Sequence, residues 1–194
     1  MVLIKKERKR NLRIFTFSNS LIALAFGLFG PFYLIFINDI GGSIENFGIA
    51  VGLVVLSGSL TSLIVGRFSD RIGRKPFLIF GGYVSALIVL FYAVIGSLWQ
   101  LYLLQILSGM VAALFETSES AFLGDITEKE KRGSDIGKYD ALVGLSEAAA
   151  IFIGGFLVSR FGFELVFIIV ALIFVVSTSF MLMLRESSMN RNIY

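Results

Sequence analysis

Six long apolar segments follow one another along this chain, and charged residues are concentrated in the gaps between them. Each segment has the roughly 20 residues that an α-helix needs to cross a ~30 Å hydrocarbon core. None alternates polar and apolar residues over its length, and a helix satisfies all of its backbone hydrogen bonds internally, so the segments predict helices rather than strands. They cover about residues 14–37, 47–65, 77–95, 99–123, 139–158 and 163–184.

The composition agrees with a membrane protein. Hydrophobic residues make up 56% of the 194 residues and charged residues only 16%, whereas a soluble domain carries about 25% charge. A soluble protein with six buried helices would lack the polar surface needed to cover them. We therefore predict an all-α membrane protein, with residues 1–194 forming a single domain of six transmembrane helices.

Charge placement predicts the orientation of these helices. If both termini are cytoplasmic, 16 of the 17 Lys and Arg residues lie on the inner side and only Arg160 lies outside. This is the distribution that the positive-inside rule describes, and it predicts a multi-pass protein of the inner (cytoplasmic) membrane. It also accounts for the net charge of +3 without a nucleic-acid partner.

The first apolar segment is too long for a signal peptide, so we predict that it is retained as the first span.

The chain has no cysteine and no histidine, which excludes disulfides and leaves proton chemistry to carboxylates. The sequence contains no nucleotide-binding loop, no nucleophile–base pair and no cluster of metal ligands. We therefore predict neither enzyme activity nor a bound cofactor or metal.

Acidic residues are the exception to the apolar character of the spans. An acid near the centre of a membrane helix costs roughly 2.5–3.5 kcal/mol on insertion, so such residues favour a functional interpretation. Span four has Glu116 and Glu119 on the same helical stripe as Gln105, and span five has Asp140 and Glu147 on another stripe. No Lys or Arg lies well within a span to pair with these acids.

The depth of two of these acids favours a common cavity. Glu147 lies ~15 Å along its helix from Gly137, and Glu116 lies ~12 Å before Gly124, at 1.5 Å per residue. A carboxyl that is neutral when dry and ionised when wet can carry a proton between the two sides of a membrane. We rank Glu147 and Glu116 first as proton-coupling residues, ahead of Glu119 and Asp140, and expect a Glu147→Gln variant to lose coupling while remaining folded.

Structural roles remain open for the same positions. Asp140 lies near the start of its span, where a carboxylate favours the helix N-terminus. Glu119 can be solvated at the inner membrane surface, and Glu147 can also have a purely structural role. Asn19, beside Ser18 and Ser20 in span one, either contacts the substrate or forms a hydrogen bond between helices.

Two charged loops carry a family resemblance. The loop between spans two and three reads Gly66-Arg67-Phe68-Ser69-Asp70-Arg71-Ile72-Gly73-Arg74-Lys75. It resembles the corresponding loop of the major facilitator superfamily of transporters, G-x-L-a-D-r-x-G-r-k, and departs from it at Phe68. The stretch 125–133 is similar to the family's loop between spans four and five. The alternative is a turn that is basic only for membrane topology.

The resemblance implies one half of a transporter. Family members have twelve spans in two six-span halves related by an axis along the membrane normal, with the substrate site between the halves. It therefore implies a secondary active transporter that works by alternating access, with protons and a small cationic or amphipathic solute as partners.

Two positions depart from the family's antiporter pattern. Gln105 stands where an Arg is common, and residues 150–155 keep the final two glycines of the span-five motif but lack its Gly-Pro pair.

The resemblance also suggests roles for the first loop. Asp70 is expected to close the inner face by contacting the start of span five in the opposite half, near Gly137. Arg71, Arg74 and Lys75 are expected to position the loop and attract anionic lipid. Gly66 and Gly73 match the fixed glycines of the motif.

We expect two copies of the chain to form the full architecture, because an even number of spans lets both insert in the same orientation about a twofold axis. Small residues that permit close helix contact occur in span two and in span five. The alternatives are pairing with a different half, a truncated twelve-span transporter, and a scaffold or sensor that transports nothing. The sequence leaves the substrate, the transport direction and the choice between symport and antiport open.

Overall fold

The structure, a computed structural model, describes residues 2–185, and within that range it contains helices and no strand. The bounds are α1 Val2–Phe29, a 3-10 turn Gly30–Phe32 that contains Pro31, α2 Tyr33–Asp39, α3 Ile44–Ile72, α4 Lys75–Tyr92, α5 Leu98–Ile126 and α6 Arg132–Met181. The all-helical prediction is therefore confirmed for this range. Arg191, one of the basic residues assigned to the inner side, lies outside the described residues.

Five helical stretches in the described range are long and apolar enough to cross a membrane, where the sequence predicts six. They are Lys6–Asp39, Ile44–Ile72, Lys75–Tyr92, Leu98–Ile126 and Arg132–Met181. The difference arises at the C-terminal end, where the predicted segments 139–158 and 163–184 overlap one helical stretch of 50 residues. The intervening turn is so short that helical hydrogen bonding continues on both sides of it.

The first part of α6 lies alongside α1 and runs in the same direction. The rings of Phe15 and Tyr139 stack with their centroids 5.9 Å apart. Further along both helices, Gly154 faces the backbone of Leu28 so closely that an added Cβ would lie 2.5 Å from the carbonyl oxygen. Residue numbers therefore increase together along this contact, as they do between parallel helices.

The last part of α6 lies against α1 in the opposite direction. Phe29 contacts Phe167 at a centroid distance of 5.6 Å, and the Ser177 hydroxyl donates a hydrogen bond of 2.8 Å to the backbone oxygen of Ser18. Between the two parts, Gly162 has φ 78° and ψ 173°, a conformation that glycine adopts without steric cost. The chain thus reverses direction within α6.

The remaining helices complete the bundle unequally. α4 contacts both α5 and the last part of α6, and an aromatic core that includes Phe36 of α2, Tyr92 of α4 and Phe167 of α6 joins these three helices. α3 packs chiefly on α5, where Gly58 meets the backbone of Gly109. The apolar stretch of α3 is the least buried of the five, so residues 2–185 leave a long apolar face of this helix uncovered.

The close approach of α6 to α1 predicts the effect of a side chain at Gly154. We expect Gly154→Leu to lower the free energy of unfolding by about 1–3 kcal/mol, the usual range for an overpacked contact, because the obstacle is the backbone of Leu28. Thermal unfolding in detergent measures this loss. Gly144→Leu in the same helix is the matched control, because an added Cβ there meets nothing within 4 Å. Equal melting temperatures for the two variants would contradict the contact.

Candidate transport site

Of the four acids singled out in spans four and five, three come together where α5 meets the first part of α6. The hydroxyl of Tyr139 donates a hydrogen bond to Oε1 of Glu119, and Glu119 also interacts electrostatically with Glu116 and Asp140. Glu119 is half-buried, whereas Glu116 and Asp140 are exposed. We call Glu116, Glu119, Tyr139 and Asp140 the carboxylate cluster. It opens onto a surface that the rest of the described chain does not cover.

Residues of α1 pack against Tyr139 on the buried side of this cluster. The ring of Phe15 stacks on Tyr139 and lies 5.0 Å from the ring of Phe122 in α5, so it fixes the hydroxyl near Glu119. Asn19 is 3% exposed and lies beside the same hydroxyl. The cluster therefore combines acids with a buried amide that lies next to the phenol hydroxyl.

Glu147 lies apart from the carboxylate cluster. It is exposed and follows Asp140 by seven residues, about 10 Å along the helix axis. The backbone carbonyl of Glu147 faces α1, where it would lie 2.5 Å from a Cβ added to Gly27. No described side-chain contact joins Glu147 to Glu116, so its high rank as a coupling residue stays a prediction.

Gln105 is turned toward α4 rather than toward the acids. It is 5% exposed, and its Oε1 accepts a 2.5 Å hydrogen bond from the hydroxyl of Tyr92. The position where the family often has an Arg is thus filled by a neutral, satisfied side chain. The residues of the predicted stripe on α5 therefore contact two different helices: Gln105 contacts α4 and Glu119 contacts α6.

Tyr139 is the member of the site that the sequence analysis missed. The available signal was a phenol next to Asp140 at the start of a span, since a buried tyrosine hydroxyl usually finds a hydrogen-bond partner. That partner, Glu119, lies 20 residues away in the preceding helix, so the pairing depends on how α5 and α6 pack.

The two charged loops of the sequence analysis meet at Arg74. Nη2 of Arg74 lies 3.3 Å from Oδ1 of Asp70, and Nη1 donates to Oδ2 of Asp125 and to the backbone oxygen of Ala121 at 2.5 Å. One guanidinium therefore ties the end of α3 to the last turn of α5. Planar guanidinium groups suit such multiple contacts better than an ammonium group does.

The neighbouring basic residue has a different task. Nζ of Lys75 donates hydrogen bonds of 2.8 and 2.7 Å to the backbone oxygens of Leu182 and Leu184, just past the end of α6. Gly73 has φ 103°, which lets the chain turn sharply between α3 and α4. Lys75 thereby fastens the C-terminal end of the bundle to this turn.

An arginine also holds the second charged loop, residues 125–133, through hydrogen bonds to the end of α5. Arg132 donates to Oγ1 of Thr127 at 3.2 Å and to the backbone oxygen of Gly124 at 2.8 Å, so it caps the C-terminal end of α5. Asp70 and Arg71 are exposed, and an added Cβ at Gly137 meets nothing within 4 Å. Both proposed ends of the latch are thus uncovered, and the latch itself stays a prediction.

These contacts predict unequal effects for two neighbouring arginines. We expect Arg74→Gln to lower the free energy of unfolding by about 1–3 kcal/mol, because hydrogen bonds to charged groups contribute on this scale. Arg71→Gln removes the same charge from an exposed side chain and should change stability little. Melting temperatures of both variants in detergent provide the comparison. An unchanged Arg74→Gln variant would show that the guanidinium does not hold the loops together.

Comparison with known proteins assigns this chain to the same family that the two charged loops resemble. The family model of the Major Facilitator Superfamily matches residues 15–192. The MFS-type transporter YitZ of Bacillus subtilis is 36% identical over 143 residues, which are 74% of this chain and 87% of that protein.

Two longer relatives are named for drug resistance. The multi-drug resistance efflux pump PmrA of Streptococcus pneumoniae is 32% identical over 84% of this chain and 41% of its own length. The class E tetracycline resistance protein of Escherichia coli is 31% identical over 58% of this chain and 27% of its own length. The chain therefore spans less than half the length of these two relatives. The resemblance seen in the two loops is confirmed: the chain is a multi-pass membrane protein that belongs to the Major Facilitator Superfamily.

Proposed function

We propose that this chain is one half of a secondary active transporter, and that two copies assemble to move a small cationic or amphipathic solute in exchange for protons. Membership of the family supports transport, and relatives named as efflux pumps support export. The chain matches 41% of the length of PmrA, about the share of one of the two six-span halves of the family.

The proposal includes six spans, with α6 crossing the membrane twice. A straight helix of 50 residues would be about 75 Å long, far more than the ~30 Å hydrocarbon core. The reversal of the chain at Gly162 and the opposite directions of its two parts along α1 support two crossings. With six spans, both termini lie on the cytoplasmic side of the inner membrane, in agreement with the positive-inside rule.

The observation that carries the proposal is the carboxylate cluster. No Lys or Arg side chain forms an ion pair with Glu116, Glu119 or Asp140 in the described part of the chain. Unpaired acids in a membrane span are costly and mark ion pathways. A carboxyl that faces a cavity open to alternate sides can release a proton on one side and take one up on the other. Its negative form also attracts a cation.

The surfaces left uncovered by the chain favour a second copy. Glu116, Asp140 and the apolar face of α3 are exposed, although the family's substrate site lies between two halves. A twofold axis along the membrane normal would bring two carboxylate clusters to one cavity. Asp70 of each copy would then approach the start of α6 in the other, near Gly137, and close the inner face.

Reconstitution into proteoliposomes tests this function. Vesicles that carry the wild-type chain, an internal pH dye and an imposed pH gradient are given ethidium as a cationic probe. We expect ethidium movement accompanied by opposite proton movement, and a protonophore should abolish both. If dimeric protein gives no ethidium-dependent proton flux, the proton-antiport proposal is wrong. If only a mixture with a different six-span chain is active, the homodimer is wrong.

A further inference from the structure

A basic cavity lies at the end of the molecule that the charge distribution assigns to the cytoplasm. It has a volume of about 610 Å³ and lies between the first turns of α1 and the segment from the end of α5 into α6. Five cationic side chains line it: Arg8, Lys9, Arg13, Lys131 and Lys138. Only two acids, Glu128 and Asp135, also contribute. The cavity therefore has an excess of positive charge and a size typical of ligand sites.

An apolar groove continues from this cavity along the bundle. The groove has a volume of about 510 Å³, follows the contact between α1 and α6, and is lined mainly by Phe17, Leu21, Leu24 and Leu142 together with Tyr139 and a few aliphatic hydroxyl groups. Arg13, Lys138 and the acid Asp135 line both the basic cavity and the groove, so positive charge is in excess where the two meet. A single ligand with a charged end and an apolar end can therefore occupy both.

We propose that this chain binds one anionic phospholipid, with its phosphate in the basic cavity and an acyl chain in the groove between α1 and α6. The site adjoins the carboxylate cluster, because Tyr139 also lines the groove, but the inference does not depend on proton coupling or on dimer formation.

The chemistry of the lining favours a phosphate ester. Arg and Lys are the side chains that bind phosphate oxygens, Arg through paired hydrogen bonds and Lys as a point charge. Basic pockets between membrane helices on the cytoplasmic side recognise anionic headgroups, and each Lys or Arg near the surface contributes about 1 kcal/mol. Free inorganic phosphate would fill the cavity alone, whereas a phospholipid also uses the groove.

Binding at this position would affect the packing of the bundle. The phosphate would bridge α1 to the segment between α5 and α6, and the acyl chain would cover apolar surface along the contact of α1 with α6. A ligand that binds only the folded state raises stability. We therefore expect the lipid to raise the melting temperature of the chain in detergent.

Native mass spectrometry of the full chain, with dioleoyl phosphatidylglycerol added to the detergent solution, tests the proposal. The test variant is Arg13→Gln with Lys131→Gln. The matched control is Arg67→Gln with Lys129→Gln, which removes two exposed cations assigned to the same side of the membrane but outside the cavity. From the contribution per cation, we expect about 30-fold weaker lipid binding in the test variant and little change in the control. Lys138→Gln alone should weaken binding about fivefold, which gives a second test if the double variant is unstable.

Two further binding measurements distinguish an anionic phospholipid from a neutral lipid and from free phosphate. Dioleoyl phosphatidylcholine, which has no net charge, should bind at least tenfold more weakly, and an excess of inorganic phosphate should not displace phosphatidylglycerol. Equal binding of phosphatidylglycerol to the test and control variants would overturn the proposal. Equal affinity for the two lipids would contradict recognition of an anionic headgroup. Inorganic phosphate that binds as tightly as the lipid would contradict binding of an acyl chain in the groove.

Discussion

Replacing Glu119 with Gln is expected to reduce solute-dependent proton flux to the level of empty vesicles while leaving the helices folded. Gln keeps the size of the side chain and can still accept the hydrogen bond from Tyr139, but it cannot exchange a proton. Glu119 is the acid that joins α5 to α6 and interacts with both Glu116 and Asp140, so its loss removes the centre of the carboxylate cluster.

The measurement is the pH change inside proteoliposomes after the addition of ethidium. Glu164→Gln is the matched control, because Glu164 is an exposed acid in α6 beyond Gly162 and far along the chain from the cluster. Full coupling in Glu119→Gln would remove this residue from the mechanism.

A parallel Glu147→Gln variant separates two views of the site. The sequence ranks Glu147 and Glu116 first, whereas the described contacts gather Glu116 with Glu119 and Asp140 and leave Glu147 apart. If coupling is lost in Glu147→Gln and kept in Glu119→Gln, Glu119 has a structural role and Glu147 carries the proton, as its rank from the sequence predicts.

The second large effect is expected at Gly52 on the uncovered face of α3. An added Cβ at Gly48 or Gly52 meets nothing within 4 Å, so these glycines do not serve close packing among the described residues of the chain. Small residues at four-residue spacing let two membrane helices approach closely. We therefore expect Gly52→Trp to block the contact between two copies and convert most of the dimer to monomer.

Single-molecule photobleaching of labelled protein in vesicles counts the copies in each complex. An overpacked interface costs about 1–3 kcal/mol, which corresponds to roughly a 5- to 150-fold weaker association. Leu87→Trp on α4 is the control, because Leu87 is exposed and α4 contributes none of the surfaces proposed to pair. The interface is elsewhere if Gly52→Trp pairs as strongly as the control.

The helical architecture was predictable because apolar length is a local property of a sequence. The stretches 47–65 and 99–123 fall within α3 and α5, and the acids stood out since no Lys or Arg lies well within a span. The sequence separates the segments 139–158 and 163–184, but the break between them is so short that the structure places both in one helical stretch. Element boundaries depend on such backbone details.

The contacts of the site depended on packing between distant segments. Glu119 and Tyr139 lie in different helices, and Arg74 reaches Asp125 across 51 positions of sequence. Gln105 shared a helical stripe with Glu119, yet Tyr92 holds it on the side of α4. The basic cavity joins residues of α1 to residues near the start of α6, so no local pattern indicated it.

Native mass spectrometry of the wild-type chain released from lipid tests the central claim most directly. The account predicts a complex with the mass of two chains, which would provide both halves that a transporter of this family requires. A folded chain that stays monomeric over a wide range of concentrations would contradict it.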